Sequence, residues 1–227
     1  MSRNPLTSAL TGLAFTLSLG VSGLAMQPTF AQVAPAAAAT APDLNAAPDE
    51  LVRKLSTEVL ASIKSDPALQ NGDLPKLQQL VDERILPYVN FEKMTQLAVG
   101  RGWRQATPEQ RQALSREFRT LLVRTYAGAM SQVRDHQVKM LPFRPGNPDD
   151  VVVRTQIVAP RGDPIQLDYR LEKTAAGWKI YDVNVLGVWL VENYKNSFAS
   201  EINQSGIDGL IKALTERNKQ FEAAKKA

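Results

Sequence analysis

The stretch from Gly177 to Phe198, GWKIYDVNVLGVWLVENYKNSF, constrains the fold more than any other part of the chain. Its first half alternates like a strand and is rich in aromatic and β-branched residues: Trp178, Ile180, Tyr181, Val183 and Val185. Its second half changes period. Val188, Val191, Tyr194, Ala199 and Ile202 fall three to five apart, and Leu190, Tyr194 and Phe198 four apart, which is helical spacing. Gly187 stands at the switch, where a residue without a Cβ lets the backbone turn. A strand that feeds directly into an apolar helix makes a corner, and such a corner can close one end of an apolar cavity.

The strand belongs to a set. After Asp135 the period is two: Val138 and Met140 in one segment, then Val151, Val153, Thr155 and Ile157 in another. Pro160 to Pro164 reads as a turn, and Ile165, Leu167, Tyr169 and Leu171 alternate against Gln166, Asp168, Arg170 and Glu172. Four strands at hairpin spacing predict an antiparallel meander with one apolar face. Helices precede it. Leu51, Leu55, Val59 and Ile63 repeat every four residues up to Asp66-Pro67, and a second helix is expected from Asp73 to Pro87. A short third segment covers Phe91 to Val99. Thr107-Pro108-Glu109-Gln110 is a capping box that opens a helix to about Arg134. Helices also follow, from Gly187 to about Asn203 and again from Gly206. The order predicts an α+β fold, with helices on one face of a curved antiparallel sheet of about four strands.

The first residues read as an address. Arg3 is a short positive n-region, residues 9–25 are apolar or small, and Thr29 and Ala31 supply the two small positions of a cleavage site after Ala31. Residues 1–31 are thus expected to be a secretory signal peptide. Residues 32–48, Ala- and Pro-rich with little charge, are expected to be a disordered lead. A single domain over 49–220 and a charged tail at 221–227 complete the expected organisation. The chain has 227 residues and no cysteine, which excludes disulfides, thiol chemistry and a lipoprotein anchor. The formal net charge of +4 is spread without a basic stripe, so anionic partners are favoured over nucleic acid.

Catalysis finds little support in the residues. His136 is the lone histidine and reads as a helix-end residue near the dipole rather than a general base. The carboxylates have no metal spacing, and no serine stands in a nucleophile elbow. Neither a catalytic residue, a metal nor a cofactor is expected. The one polar set with chemical potential is Tyr169, Tyr181 and Asp182, which could move a proton in an apolar cone; Asp182 paired with Arg154 or Arg170 is the structural alternative. The apolar residues are the stronger signal. Val151, Val153, Ile157, Leu167, Tyr169, Leu171, Ile180 and Val185 share the inward sheet face. Leu97, Phe118, Leu122, Tyr126, Met130, Val188, Val191, Tyr194 and Phe198 are offered by the helices. Pattern alone favours a solid core, because periodicity does not register whether a core is hollow.

The segments Leu86–Met130 and Gly177–Leu214 resemble the MlaC family, the toluene-tolerance auxiliary proteins. The likeness is carried by Leu86-Pro87, Gly100 followed by Trp103, the Ala106-to-Gln110 cap, Phe118, Tyr126, Tyr181-Asp182-Val183, Gly187-Val188 and Gly206-Ile207-Asp208-Gly209-Leu210. It covers about Asp49 to Asn218. The resemblance implies an enlarged NTF2-like cone that acts as a monomeric periplasmic phospholipid carrier, with acyl chains held by the apolar residues above. It further implies exchange with an inner-membrane ABC transporter complex and an outer-membrane lipoprotein complex, in maintaining outer-membrane lipid asymmetry. Two positions depart from the family pattern: Asn90, where an acid is common, and Trp189, where a small residue is usual and a bulky one is expected to reshape the pocket mouth. With no evident cluster of Arg and Lys, weak headgroup selectivity is expected. Two other readings stay open, an isomerase-type cone using Asp182 and Tyr169, and a lipid-free interaction module.

Overall fold

The computed structural model describes residues 41–133 and 135–226. The segment read as a signal peptide lies outside the described residues, as does Arg134. The remainder has the α+β architecture expected from the pattern.

Proline and aspartate punctuate the first half. Helix α1 (Pro48–Ser65) begins on a proline and buries Leu51, Val52, Leu55, Leu60 and Ile63 along one stripe. Asp66 caps the short α2 (Pro67–Gln70) by accepting from Ala68 N at 2.8 Å, and Asp73 caps α3 (Leu74–Leu80) by accepting from Lys76 N at 3.0 Å. The helix expected to reach Pro87 stops being α-helical at Leu80. Val81–Ile85 is a π-helical turn, in which Leu86 N donates to Val81 O, and Leu86–Tyr88 is a 3-10 turn. Pro87 has no N–H to give to the carbonyl four residues back, and the ladder slips just ahead of it.

Asn90 caps α4 (Phe91–Val99), accepting from Lys93 N at 3.1 Å, while its Nδ2 donates to Glu172 at 2.9 Å. The amide therefore performs the capping task an acid would. A one-turn α5 (Gly102–Gln105) leads into α6 (Pro108–Ser131), whose Thr107–Gln110 capping box is formed in both directions.

The sheet has five strands rather than four, in sequence order and antiparallel throughout: β1 (Gln137–Met140), β2 (Asp150–Val158), β3 (Ile165–Thr174), β4 (Gly177–Val185) and β5 (Val188–Trp189). The added strand corrects the expected helix start. Leu186 and Gly187 both have positive φ, 53° and 90°, as the two central residues of a tight hairpin turn require. Val188 and Trp189 pair back on β4, and helix α7 begins only at Leu190. It runs to Lys226 with a break at Gly206 (φ 71°, ψ −173°). Residues 221–226 are thus helix rather than a separate tail, and Phe221 packs against the main core.

Of the expected disordered lead, residues 32–40 lie outside the described residues, and residues 41–48 are corrected. Leu44 packs against a core cluster, and its carbonyl accepts from Trp178 N at 2.8 Å. Gly177, at φ 102°, makes this possible: a Cβ there would lie 2.5 Å from the Leu44 carbonyl oxygen. Gly177→Ala is expected to cost more than ~1 kcal/mol, through both backbone strain and loss of this seat. Urea unfolding measures the cost, and faster proteolytic trimming up to α1 reports the detached segment.

Candidate ligand cavity

Helix α1 lies directly on one end of the inward sheet face. There Leu51, Val52 and Leu55 meet Val151, Val153, Leu171 and Trp178 in a filled cluster. Toward the other end the helices and sheet separate. A cavity of about 330 Å³ opens between α1, the π-helical turn, α4 and α6 on one side and β2, β3 and β4 on the other. Its sheet wall is Ile157, Ile165, Leu167, Tyr169, Ile180, Val183 and Val185. Its helical wall includes Leu55, Val59, Leu60 and Ile63 from α1, Val81 and Ile85 from the π turn, Phe91 and Met94 from α4, and Leu122, Val123, Tyr126, Ala129 and Met130 from α6.

The few polar groups in this wall are neutral or lie at its margin. Tyr169 Oη and Ser56 Oγ share a hydrogen bond of 3.3 Å. Burial pushes the Tyr169 and Tyr126 phenols up, so both stay protonated at neutral pH. Arg119 joins the wall where the cavity meets a second pocket of about 520 Å³. Leu86, Phe91 and Arg119 line both spaces. The second pocket adds Glu92, Trp103, Pro108, Arg111, Gln112, Ser115 and Arg116.

Of the residues expected from the pattern, Leu122, Tyr126, Met130, Ile157, Leu167, Tyr169, Ile180 and Val185 line the cavity. The others do not. Val151, Val153 and Leu171 have the right face but lie at the end that α1 fills. Phe118, Val191 and Phe198 are buried in the solid cluster between α6 and α7, with Tyr194 packed against it. Leu97 sits at the exposed margin of α4, whose buried residues are Met94, Thr95, Ala98 and Val99, and is 38 % exposed. Val188 is half exposed at the β4–β5 hairpin, two residues short of the helix it was assigned to. Trp189 is not in the wall either. It lies over the Arg170 guanidinium, 3.9 Å from carbon to ring centroid, so it leaves the pocket mouth alone. What the pattern missed is α1: the four-residue repeat of Leu55, Val59 and Ile63 marked a buried stripe without saying what it faced. Arg111, Arg116 and Arg119 were missed as a group, because they are three to five residues apart and their shared face appears only when α6 is wound.

The proton-transfer alternative loses its geometry. Tyr169 pairs with Val183 and points into the cavity, whereas Asp182 pairs with Arg170 on the opposite face. Asp182 is occupied there. One carboxylate oxygen accepts from Val183 N at 2.9 Å and Val191 N at 3.1 Å, the other from Arg170 at 3.1 Å. It ties the first turn of α7 to β4, so the arginine partner expected as the structural alternative is present.

Tyr181 occupies the β-bulge that breaks the register beside Arg170 and Leu171. Its phenol donates to Asp150, with contacts of 2.9 and 3.1 Å. Burial first, and then the adjacent Asp150 carboxylate, push it up to about 12. The unfolded phenol titrates near ~10, so the folded chain holds a proton the unfolded chain loses over that interval. The resulting stability is complete below the lower value and is lost as pH rises toward the upper one. Tyr181→Phe is expected to flatten the stability–pH slope in that window and to remove one phenolate absorbance step near its upper end.

Comparison with known proteins gives this geometry a context. The family model described as MlaC protein matches residues 53–216. The Haemophilus influenzae intermembrane phospholipid transport system binding protein MlaC is 24 % identical over 177 residues, covering 76 % of this chain and 83 % of that one. The Pseudomonas putida toluene tolerance protein ttg2D is 21 % identical over 162 residues, covering 71 % and 75 %. A solved structure of a phospholipid-binding protein from Ralstonia solanacearum, in complex with a phospholipid, is 48 % identical with a TM-score of 0.73, covering 75 % of this chain and 96 % of that one. The family match begins in α1, takes in the whole sheet and ends well into α7, so it includes every element that walls the cavity: the chain belongs to the MlaC family.

Proposed function

We propose that this protein is a periplasmic phospholipid carrier. It holds acyl chains in the cavity between sheet and helices and passes lipid between an inner-membrane ABC transporter complex and an outer-membrane lipoprotein complex. The observation that carries this reading is an apolar space of about 330 Å³ that the protein's own side chains leave vacant, in a chain 48 % identical to a protein solved with phospholipid bound. Each methylene kept from water contributes roughly 0.8 kcal/mol, so a two-chain lipid has a negligible free concentration and needs a carrier to cross an aqueous compartment. In a bilayer the chains are already dry. Exchange between bilayer and cavity is then close to neutral, and its direction comes from the docking partners.

Carriage asks for dry walls and a mouth rather than a reaction centre, and the half-buried hydroxyls of Ser56 and Tyr169 bond to each other. No described helix is long and apolar enough to cross a membrane. Native mass spectrometry of the full chain, purified without detergent, tests the reading. Co-purified phospholipid in defined stoichiometry is expected, with a lower unfolding midpoint after its removal. A protein that emerges lipid-free and takes up none from vesicles would overturn it.

A further inference from the structure

We propose that the pocket beside the cavity is a headgroup site, in which Arg116 and Arg119 hold the phosphodiester of the bound lipid and favour anionic over zwitterionic phospholipids. This rests on the carrier reading and adds a chemical preference to it.

One face of α6 makes the case. Arg111, Ser115, Arg116 and Arg119 line the second pocket, and Leu122, Tyr126 and Met130 continue the same stripe into the cavity. Over its first three turns this face is cationic and over its last turns apolar, a division that matches the two ends of a phospholipid. The two spaces adjoin, with Leu86, Phe91 and Arg119 bordering both. A lipid with its tails among Leu122 and Met130 therefore places its polar end along Arg119 and Arg116.

The electrostatics agree. Three guanidinium groups and one carboxylate, Glu92, line the pocket, and the Asp82 and Glu117 carboxylates that pair with Arg119 and Arg116 stand outside its lining. Each arginine is steadied by a neighbour. Arg119 pairs with Asp82 of the π-helical turn at 3.2 Å, and Arg116 Nε lies 3.3 Å from Glu117. Arg111 donates to the Trp103 carbonyl at 3.0 Å and lies over the Trp103 ring. A guanidinium has five N–H donors, so one such bond orients it without exhausting it, and its fork suits the paired oxygens of a phosphate. A phosphatidylglycerol headgroup brings only its phosphate charge to this pocket. Phosphatidylethanolamine also brings an ammonium, which the guanidinium groups repel.

The test loads delipidated full-length protein from vesicles containing equal phosphatidylglycerol and phosphatidylethanolamine with identical chains. Bound lipid is then counted and typed by mass spectrometry. Wild type is expected to take up phosphatidylglycerol in about fivefold preference, near the upper end of what half-exposed ion pairs contribute. The Arg116→Gln/Arg119→Gln variant is expected to fall to near parity with total occupancy retained, and added salt should lower the wild-type preference in the same way. Arg53→Gln/Lys64→Gln removes the same charge at exposed positions on α1 that line neither space, and should keep the preference.

Full occupancy with a preference unchanged in the Arg116/Arg119 variant would overturn the headgroup site and leave the carrier reading standing, whereas absence of lipid from wild type would strike the carrier reading itself. Inorganic phosphate titrated into delipidated protein is the remaining arm. Arginine-dependent phosphate binding without any lipid preference would assign the pocket to free phosphate and overturn the lipid assignment.

Discussion

Leu167→Trp is expected to lower phospholipid affinity more than about tenfold, and with it the lipid carried when lipid is limiting, while leaving the protein folded. Leu167 lies mid-strand in β3, opposite Thr155 on one side and Val185 on the other, with its side chain in the cavity wall. An indole at that position extends into vacant space instead of into a neighbour, so overpacking strain is small. The guest bears the loss. If the ring displaces two methylenes toward water, at roughly 0.8 kcal/mol each, affinity falls by more than about an order of magnitude. Val153→Trp is the contrasting variant. Val153 is fully buried where α1 covers the sheet, so the same indole forces side chains off their rotamers at a cost of ~1–3 kcal/mol or more. Lipid counts per protein and urea midpoints, measured on both variants, separate plugging from destabilisation. A folded Leu167→Trp protein carrying as much lipid as wild type would mean that the tails do not lie against β3.

The contrast between Val153 and Leu167 also marks how far the residue pattern reaches. Val153 and Leu167 alternate inward identically, and strand periodicity gives them the same role. What separates them is which helix covers each: α1 packs flush over Val153 and stands off from Leu167. That stand-off depends on a helix about a hundred residues away along the chain, and local spacing carries no trace of it. The meander, the capping box and the break at Gly206 were legible because each is written in adjacent residues with a direct backbone consequence. The hairpin at Leu186-Gly187 was not. A leucine with positive φ is uncommon, so an apolar Val-Leu-Gly-Val run reads as a strand passing into a helix rather than as a turn. The resemblance to MlaC proteins supplied the cavity that periodicity could not, but it did not say which of the inward residues border it.

Phe118→Ala is expected to destabilise the lipid-free protein by ~3–5 kcal/mol, the range for emptying a large aromatic site in a packed core. Its helical position beside Leu122 invites a place in the cavity wall, yet the ring is packed inside the cluster that α6 makes with α4 and α7 and does not line the cavity. It is fully buried, with Phe91, Tyr194 and Phe198 around it at centroid distances of 5.8, 5.0 and 5.2 Å. The two contacts from α7 are edge-on, the arrangement that aromatic quadrupoles favour. Removing the ring therefore takes the centre from the contact that joins α4, α6 and α7. Against a total of ~5–15 kcal/mol for a domain, this is a large share. Urea unfolding should show a lower midpoint at an unchanged slope. A cost below ~1 kcal/mol would indicate that the ring borders open space after all. Because Phe91 also walls the cavity, its ring loses its backing when Phe118 is truncated, and the cavity should loosen together with the core. Lipid loading should then recover only the part of the loss that mass action allows, which makes the difference between loaded and lipid-free midpoints in this variant a measure of how closely the solid core supports the hollow one.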